Sequence, residues 1–159
     1  MLALLPALRR YSRSLTRSDT EGEDLLQDCV EKVLSHGGQW RGGSFKSWVY
    51  RIMTNLHLNR RRTQRRHPTV PMDLAETIAE PDSTADPLEN LRLMAALENL
   101  SAEFRAVLML VVVEGHNYQE VADMLDIPLG TVMSRLSRAR NSLREKLRQE
   151  NVIQLRRPQ

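Results

Sequence analysis

The stretch Asn117–Lys146, NYQEVADMLDIPLGTVMSRLSRARNSLREK, constrains the fold more than any other part of the chain. Asn117 with Glu120 three residues on is a capping-box start, in which each side chain takes an otherwise orphaned amide. Val121, Met124 and Leu125 then give a short helix one apolar face, and Ala122 is small enough for a second helix to cross close by. Asp126 and Pro128 interrupt the pattern at a turn. Val132, Leu136, Ala139, Leu143 and Leu147 resume it at helical spacing. The opposite face of that helix carries Thr131, Met133, Ser134, Arg135, Arg138 and Arg144. Two helices with a shared core and a basic outer face predict a helix-turn-helix, whose second helix can enter the major groove of DNA.

The rest of the composition points the same way. Aromatic residues are only 4% of the 159, so cores must be built from Leu, Val, Met and Ala, which favours helices over sheets. The net charge of +3 is small, but its placement is uneven. Cys29 is the only cysteine, which excludes an intramolecular disulfide and a cysteine metal cluster. The histidines at 36, 57, 67 and 116 stand at no ligand spacing, so neither metal nor cofactor is expected. A reducing, cytoplasmic location fits. The longest apolar run, Val107–Val113, is too short to span a bilayer, so no membrane insertion is expected. Arg9, Arg10 and Arg13 interrupt the first leucines too early for a signal peptide.

Three blocks follow one another. Residues 1–67 carry three apolar stripes: Leu4, Leu5, Leu8 and Leu15; then, after a polar connector from Ser18 to Glu23, Leu25, Leu26, Cys29, Val30, Val33 and Leu34; then Phe45, Trp48, Val49, Ile52, Met53 and Leu56 behind a possible Ser44 cap. Residues 68–90 hold four prolines and six acidic residues with no Lys or Arg, the mark of a flexible linker without its own core. Residues 91–150 begin with a lead-in helix of Leu91, Met94 and Leu97. A helix capped by Ser101 follows, with Phe104, Val107, Leu108, Val111 and Val112 inward, and then the helix-turn-helix. Residues 151–159 are expected to be a frayed tail. The expected fold is all-α: two small helical domains joined by an acidic tether.

No catalytic grouping stands out; the Gly37–Gly43 loop lacks the Gly-Lys-Ser/Thr ending of a phosphate loop. The run Arg60, Arg61, Arg62, Arg65, Arg66 reads either as a solvated helix end or as a set of phosphate contacts. Asn55 and Asn59 on the same helix can reach base edges or sugars. Trp40 in the glycine-rich loop suits stacking on an unpaired base, or anchoring a core. Asp24, Gln27, Asp28 and Glu31 form an acidic stripe that is either plain surface or a protein-docking face.

Taken together, GEDLLQDCVEKVL (22–34), GSFKSWVYRIMTNLHLNRRR (43–62) and YQEVADMLDIPLGTVMSRLSRARNSLREKL (118–147) make the chain resemble a bacterial extracytoplasmic-function (ECF) sigma factor of the sigma-70 class, over about residues 1–150. The resemblance implies two promoter-binding modules, sigma regions two and four. It implies docking on the β′ clamp of core RNA polymerase through Asp24, Leu25, Gln27, Asp28 and Glu31, with further contact to the β subunit. It implies capture of the −10 element by Trp40, Asn55, Asn59, Arg60, Arg61 and Arg62. It implies readout of the −35 element by Thr131, Met133, Ser134, Arg135 and Arg138. Asn59 and Met133 depart from the residues common at those places, Asp and a basic residue. Family habit also implies control by an anti-sigma factor. The competing reading from the residues alone is a conventional helix-turn-helix DNA-binding transcription regulator.

Overall fold

Five of the helices begin on a side chain that accepts a backbone amide, which is why they start where they do. Ser18 accepts from Glu21, Ser44 from Ser47, Asp86 from Leu88, Ser101 from Phe104 and Asn117 from Glu120. The computed structural model describes residues 1–67 and 86–156. Among these, every regular element is helical: α1 (Leu5–Leu15), α2 (Asp19–Ser35), α3 (Phe45–Arg66), α4 (Pro87–Glu98), α5 (Ala102–Val112), α6 (Tyr118–Leu125) and α7 (Leu129–Arg156), with single 3-10 turns at Leu2–Leu4 and Gly37–Gln39.

Several boundaries differ from expectation. The polar segment Ser18–Glu23 is not a connector but the cap and first turn of α2. Asp19 and Glu21 there sit at the positive end of the helix dipole, where acidic residues are favoured. The lead-in helix starts at Pro87, with Pro in its first turn behind the Asp86 cap, so residues 87–90 belong to α4. The remainder of the expected linker, 68–85, lies outside the described residues. α7 continues to Arg156, through most of the segment expected to fray. Val112 is 59% exposed rather than inward, because α5 ends there. Leu34 also points to solvent, in the last turn of α2.

The N-terminal helices bury Leu8, Tyr11, Leu15, Leu25, Cys29, Val33, Val49 and Met53. The C-terminal ones bury Val107, Leu110, Val121, Met124, Val132, Leu136 and Ala139. These are not two separate cores but one continuous apolar cluster. α3 packs on α6 and α5, and α1 packs on α5. The Cys29 thiol lies within this cluster, and burial pushes it up to about 12, so no reactive thiolate forms at neutral pH.

The α1–α2 crossing depends on one glycine. A Cβ at Gly22 would stand 2.9 Å from the Arg13 Cγ, 3.1 Å from the Arg13 Cα and 3.2 Å from the Thr16 hydroxyl. The Arg13 Cα is backbone and can yield only if α1 shifts. Gly22→Ala is therefore expected to destabilise the fold by about 1–3 kcal/mol, although alanine is the better helix former. Urea unfolding measures this; a variant as stable as the parent would show that α1 moves freely on α2.

Candidate nucleic-acid interface

The helix-turn-helix is formed by α6 and α7. Asn117 and Glu120 make the reciprocal capping box at the start of α6, with the Glu120 amide donating to Asn117 at 2.8 Å and the Asn117 amide donating to Glu120 at 3.2 Å. Asp126 ends α6 in the left-handed region, at φ 56°, a conformation that Asp tolerates better than most residues. The Thr131 and Val132 amides donate to the Pro128 carbonyl, closing the first turn of α7. Val132, Leu136 and Ala139 are buried against the rest of the module, while Leu143 and Leu147 are half-buried.

The opposite side of α7 is open. At 3.6 residues per turn, Thr131, Ser134, Arg135 and Arg138 fall in one stripe. Ser134 and Arg138 are exposed; Thr131 and Arg135, nearer the buried seam, are half-buried. Met133 is 50% exposed but lies about 100° round the helix from Ser134, on the flank it shares with Arg140 and Arg144. The five residues grouped from sequence are thus a stripe of four and one outlier.

The second set is divided more sharply. Asn55, Asn59 and Arg62 are exposed and spaced i, i+4, i+7 along one face of α3. Arg60 is not on offer in the same way, because its guanidinium pairs with the Asp28 carboxylate of α2. Arg61 is half-buried and turned toward α5. Trp40 is 41% exposed and packs edge-on against Phe45 at 5.5 Å, with Trp48 beyond it. It is therefore part anchor and part exposed ring. On α2, Asp24, Gln27, Asp28 and Glu31 are exposed, whereas Leu25 is fully buried and belongs to the core, not to a contact surface.

Sequence reasoning missed the residues that join the two halves. Gly115, at φ 70°, reverses the chain after α5, and the His116 amide returns to the Leu110 carbonyl at 3.1 Å. That turn presents Glu114 and His116 to α1 and α3. Arg10 donates to the Glu114 carboxylate through Nε and Nη2, both at 3.0 Å, and the Tyr50 hydroxyl donates to it at 3.3 Å. The Glu114 side chain is only 2% exposed. Burial, then the Glu114 charge, raises the Tyr50 hydroxyl well above its usual range, so it remains a donor. The Tyr50 ring meets His116 edge-on at 5.5 Å and Tyr11 at 5.2 Å. The Tyr11 and Thr54 hydroxyls lie 2.9 Å apart; since Thr54 donates to the Tyr50 carbonyl, Tyr11 is the donor to Thr54. Farther along, Arg51 donates to the Asp123 carbonyl and approaches the Asp126 carboxylate at 3.9 Å. The readable signal was a charged residue inside each apolar run: Arg51 in WVYRIM, Arg105 in FRAVLML and Glu114 in VVVEG.

These contacts bring the glycine-rich loop and the α6–α7 turn onto one cleft of about 970 Å³. The glycine-rich loop with Trp40 and Arg41 forms one wall, and the α6–α7 turn with Asp126 and Leu129 forms the other.

Comparison with known proteins agrees with this architecture. The family described as "Sigma-70, region 4" matches residues 90–143, and "Sigma2 domain of PhyR" matches residues 1–54. The ECF RNA polymerase sigma factor SigE of Mycolicibacterium smegmatis is 35% identical over 144 residues, covering 87% of this chain; the chain spans only 56% of that relative's length. The ECF RNA polymerase sigma factor EcfG of Rhodopseudomonas palustris is 32% identical over 146 residues, covering 90% of this chain and 80% of that one. This chain belongs to the ECF sigma factors. A solved structure of the sigma factor RpoE with the anti-sigma factor NepR from Bartonella quintana superposes with a TM-score of 0.70 at 31% identity, covering 92% of this chain and 93% of that one.

For this sigma factor the Glu114 cluster is the most buried charged contact among several polar contacts between regions two and four. Glu114→Gln keeps the shape and removes the charge. It is expected to weaken the packing of the halves by about 1–2 kcal/mol, because charge-assisted hydrogen bonds exceed neutral ones by that order. Denaturant unfolding and the radius of gyration from small-angle scattering check this; no change in either would show that apolar packing alone holds the halves.

Proposed function

We propose that this protein directs core RNA polymerase to specific promoters, with α7 on the −35 element and the α3 face with its preceding loop on the −10 element. The observation that carries the reading is the pair of solvent-accessible polar stripes on two different helices of two modules, the half-buried to exposed Thr131–Ser134–Arg135–Arg138 and the exposed Asn55–Asn59–Arg62. A regulator confined to duplex DNA has use for the first stripe and none for the second. Exposed Asp24, Gln27, Asp28 and Glu31 supply the face for the β′ clamp. The role is one of binding rather than catalysis, and it is cytoplasmic.

The packed arrangement is the resting form. In it the Trp40 loop and the α6–α7 turn line one cleft, and on this reading the halves separate for the two stripes to reach separate promoter elements. Polymerase must therefore bind the separated halves better than the packed ones, since a partner shifts a conformational balance only by its difference in affinity. The similarity to a sigma factor solved with the anti-sigma factor NepR supports control by such a protein, which would favour the packed state.

Run-off transcription with purified core polymerase tests the assignment directly: promoter-specific transcripts are expected, and tight duplex binding with no transcript would replace it with the regulator reading. Asp24→Arg is the informative docking variant, because Asp28 is already engaged with Arg60. It should weaken co-purification with core polymerase at least several-fold, and unaltered co-purification would remove α2 from the docking face. Arg135→Ala should relax preference at one base pair of the upstream element by about 1–3 kcal/mol. A uniform loss over all sequences would reassign Arg135 to a phosphate.

A further inference from the structure

The α3 face assigned to the −10 element does not begin at Asn55. Arg51 stands one helical turn before it, within about 40° of both Asn55 and Arg62 around the helix axis. It is therefore the loop-side end of the same stripe. Asn55, Asn59 and Arg62 are open to solvent, whereas Arg51 is half-buried and held by region four. Beyond Arg51 the stripe runs through Ser47 to Trp40 and Arg41, and these residues line the cleft that the α6–α7 turn closes from the other side.

What holds Arg51 is the C-terminal end of α6. Its Nη2 donates to the Asp123 carbonyl, and the Asp126 carboxylate stands at 3.9 Å. The carbonyl is available because the Ile127 amide, its partner in a continuing helix, turns back to Ala122 instead. The Asp123 side chain is taken by Gln119 at 3.1 Å, so the main chain and Asp126 are what Arg51 meets. A helix C-terminus carries a partial negative charge, and the carboxylate beside it adds a full one. Anionic oxygens facing an arginine on a strand-reading face are what a nucleic-acid phosphate also presents. The hold is incomplete and reversible. Arg51 Nε is buried with no partner among the described residues, while Asp123 and Asp126 are exposed, so water replaces the guanidinium when it leaves.

We propose that region four masks part of the −10 surface by imitating the DNA backbone: the Asp123 carbonyl and the Asp126 carboxylate hold Arg51 until a phosphate of the promoter strand replaces them. Arg51 is thereby a further contact to the −10 element, hidden in the packed form and freed when the halves part. The inference rests on the assignment of the α3 face to that element. The planar guanidinium fork suits a phosphate at least as well as a carbonyl and a distant carboxylate. An exposed ion pair of this kind is weak, so the mask lowers affinity several-fold rather than abolishing binding.

Fluorescence anisotropy tests this with a labelled single strand carrying the non-template −10 sequence of a promoter that gives transcript in the run-off assay. Full-length protein is titrated alone and as holoenzyme, over a range of salt. Asp126→Asn should tighten binding by the free protein about two- to fivefold. Asn adopts the left-handed conformation of this position as readily as Asp, so the variant keeps the turn. Arg51→Gln should weaken binding by the holoenzyme about three- to tenfold and reduce the slope of log K against log salt by about 0.7, the loss of one phosphate contact. Arg51→Lys should restore the slope. In the Arg51→Gln background Asp126→Asn should bring no gain. A gain that persists there is a general charge effect and overturns the mask. Unchanged affinity and slope in the Arg51→Gln holoenzyme, with Asn55→Ala still weakening it, would reduce Arg51 to a seam contact and leave the −10 assignment intact. If neither variant changes binding, the assignment of the α3 face falls, and this inference with it.

Discussion

A carboxylate almost removed from water organises this molecule. Glu114 would be strongly unfavourable in that position alone, since a buried charge needs both a counter-charge and donors. It receives two hydrogen bonds from Arg10 and one from Tyr50, and those partners come from helices on the other side of the seam. The pairing works with the Arg51 and Arg105 contacts to restrict how region four meets region two. In that arrangement the α6–α7 turn stands opposite the glycine-rich loop and Arg105 reaches the carbonyls of Ser14 and Thr16. Apolar contact supplies most of the adhesion, but it is non-directional. The polar cluster supplies the geometry.

The local architecture was legible because it is written locally. A cap, an i/i+4 apolar stripe and a terminating glycine or proline lie within a few residues of each other, and the helix-turn-helix was readable nearly to the residue. Errors fell where two local signals compete. Ser18–Glu23 is polar and reads as a connector, yet a serine followed by acidic residues is equally the opening of a helix, and the apolar residues after it decide the matter. Leu25 was grouped with its polar neighbours by resemblance, but its register with Cys29 and Val33 puts it inside. Arg61 was grouped with a basic run, but one residue either way on a helix turns a side chain by about 100°, from solvent to seam.

The packing of the two halves was not legible, and the reason is distance along the chain. Arg10 and Glu114 are 104 residues apart, and no pattern within a helix reports a partner that remote. What the sequence did contain was the cost side of such contacts: charged residues set inside apolar runs, which are unfavourable unless something answers them. Arg51, Arg105 and Glu114 are each answered from the opposite half.

The single uninterrupted core has an outcome for the life of the active protein. In the open form proposed above, apolar surface that each half hides in the other would be left wet, and a chain in that condition is prone to stick to itself and open to proteases. Only a large partner can cover both newly bared faces together. On the proposed reading, opening without a partner would therefore carry a cost in durability, since nothing else covers the bared faces.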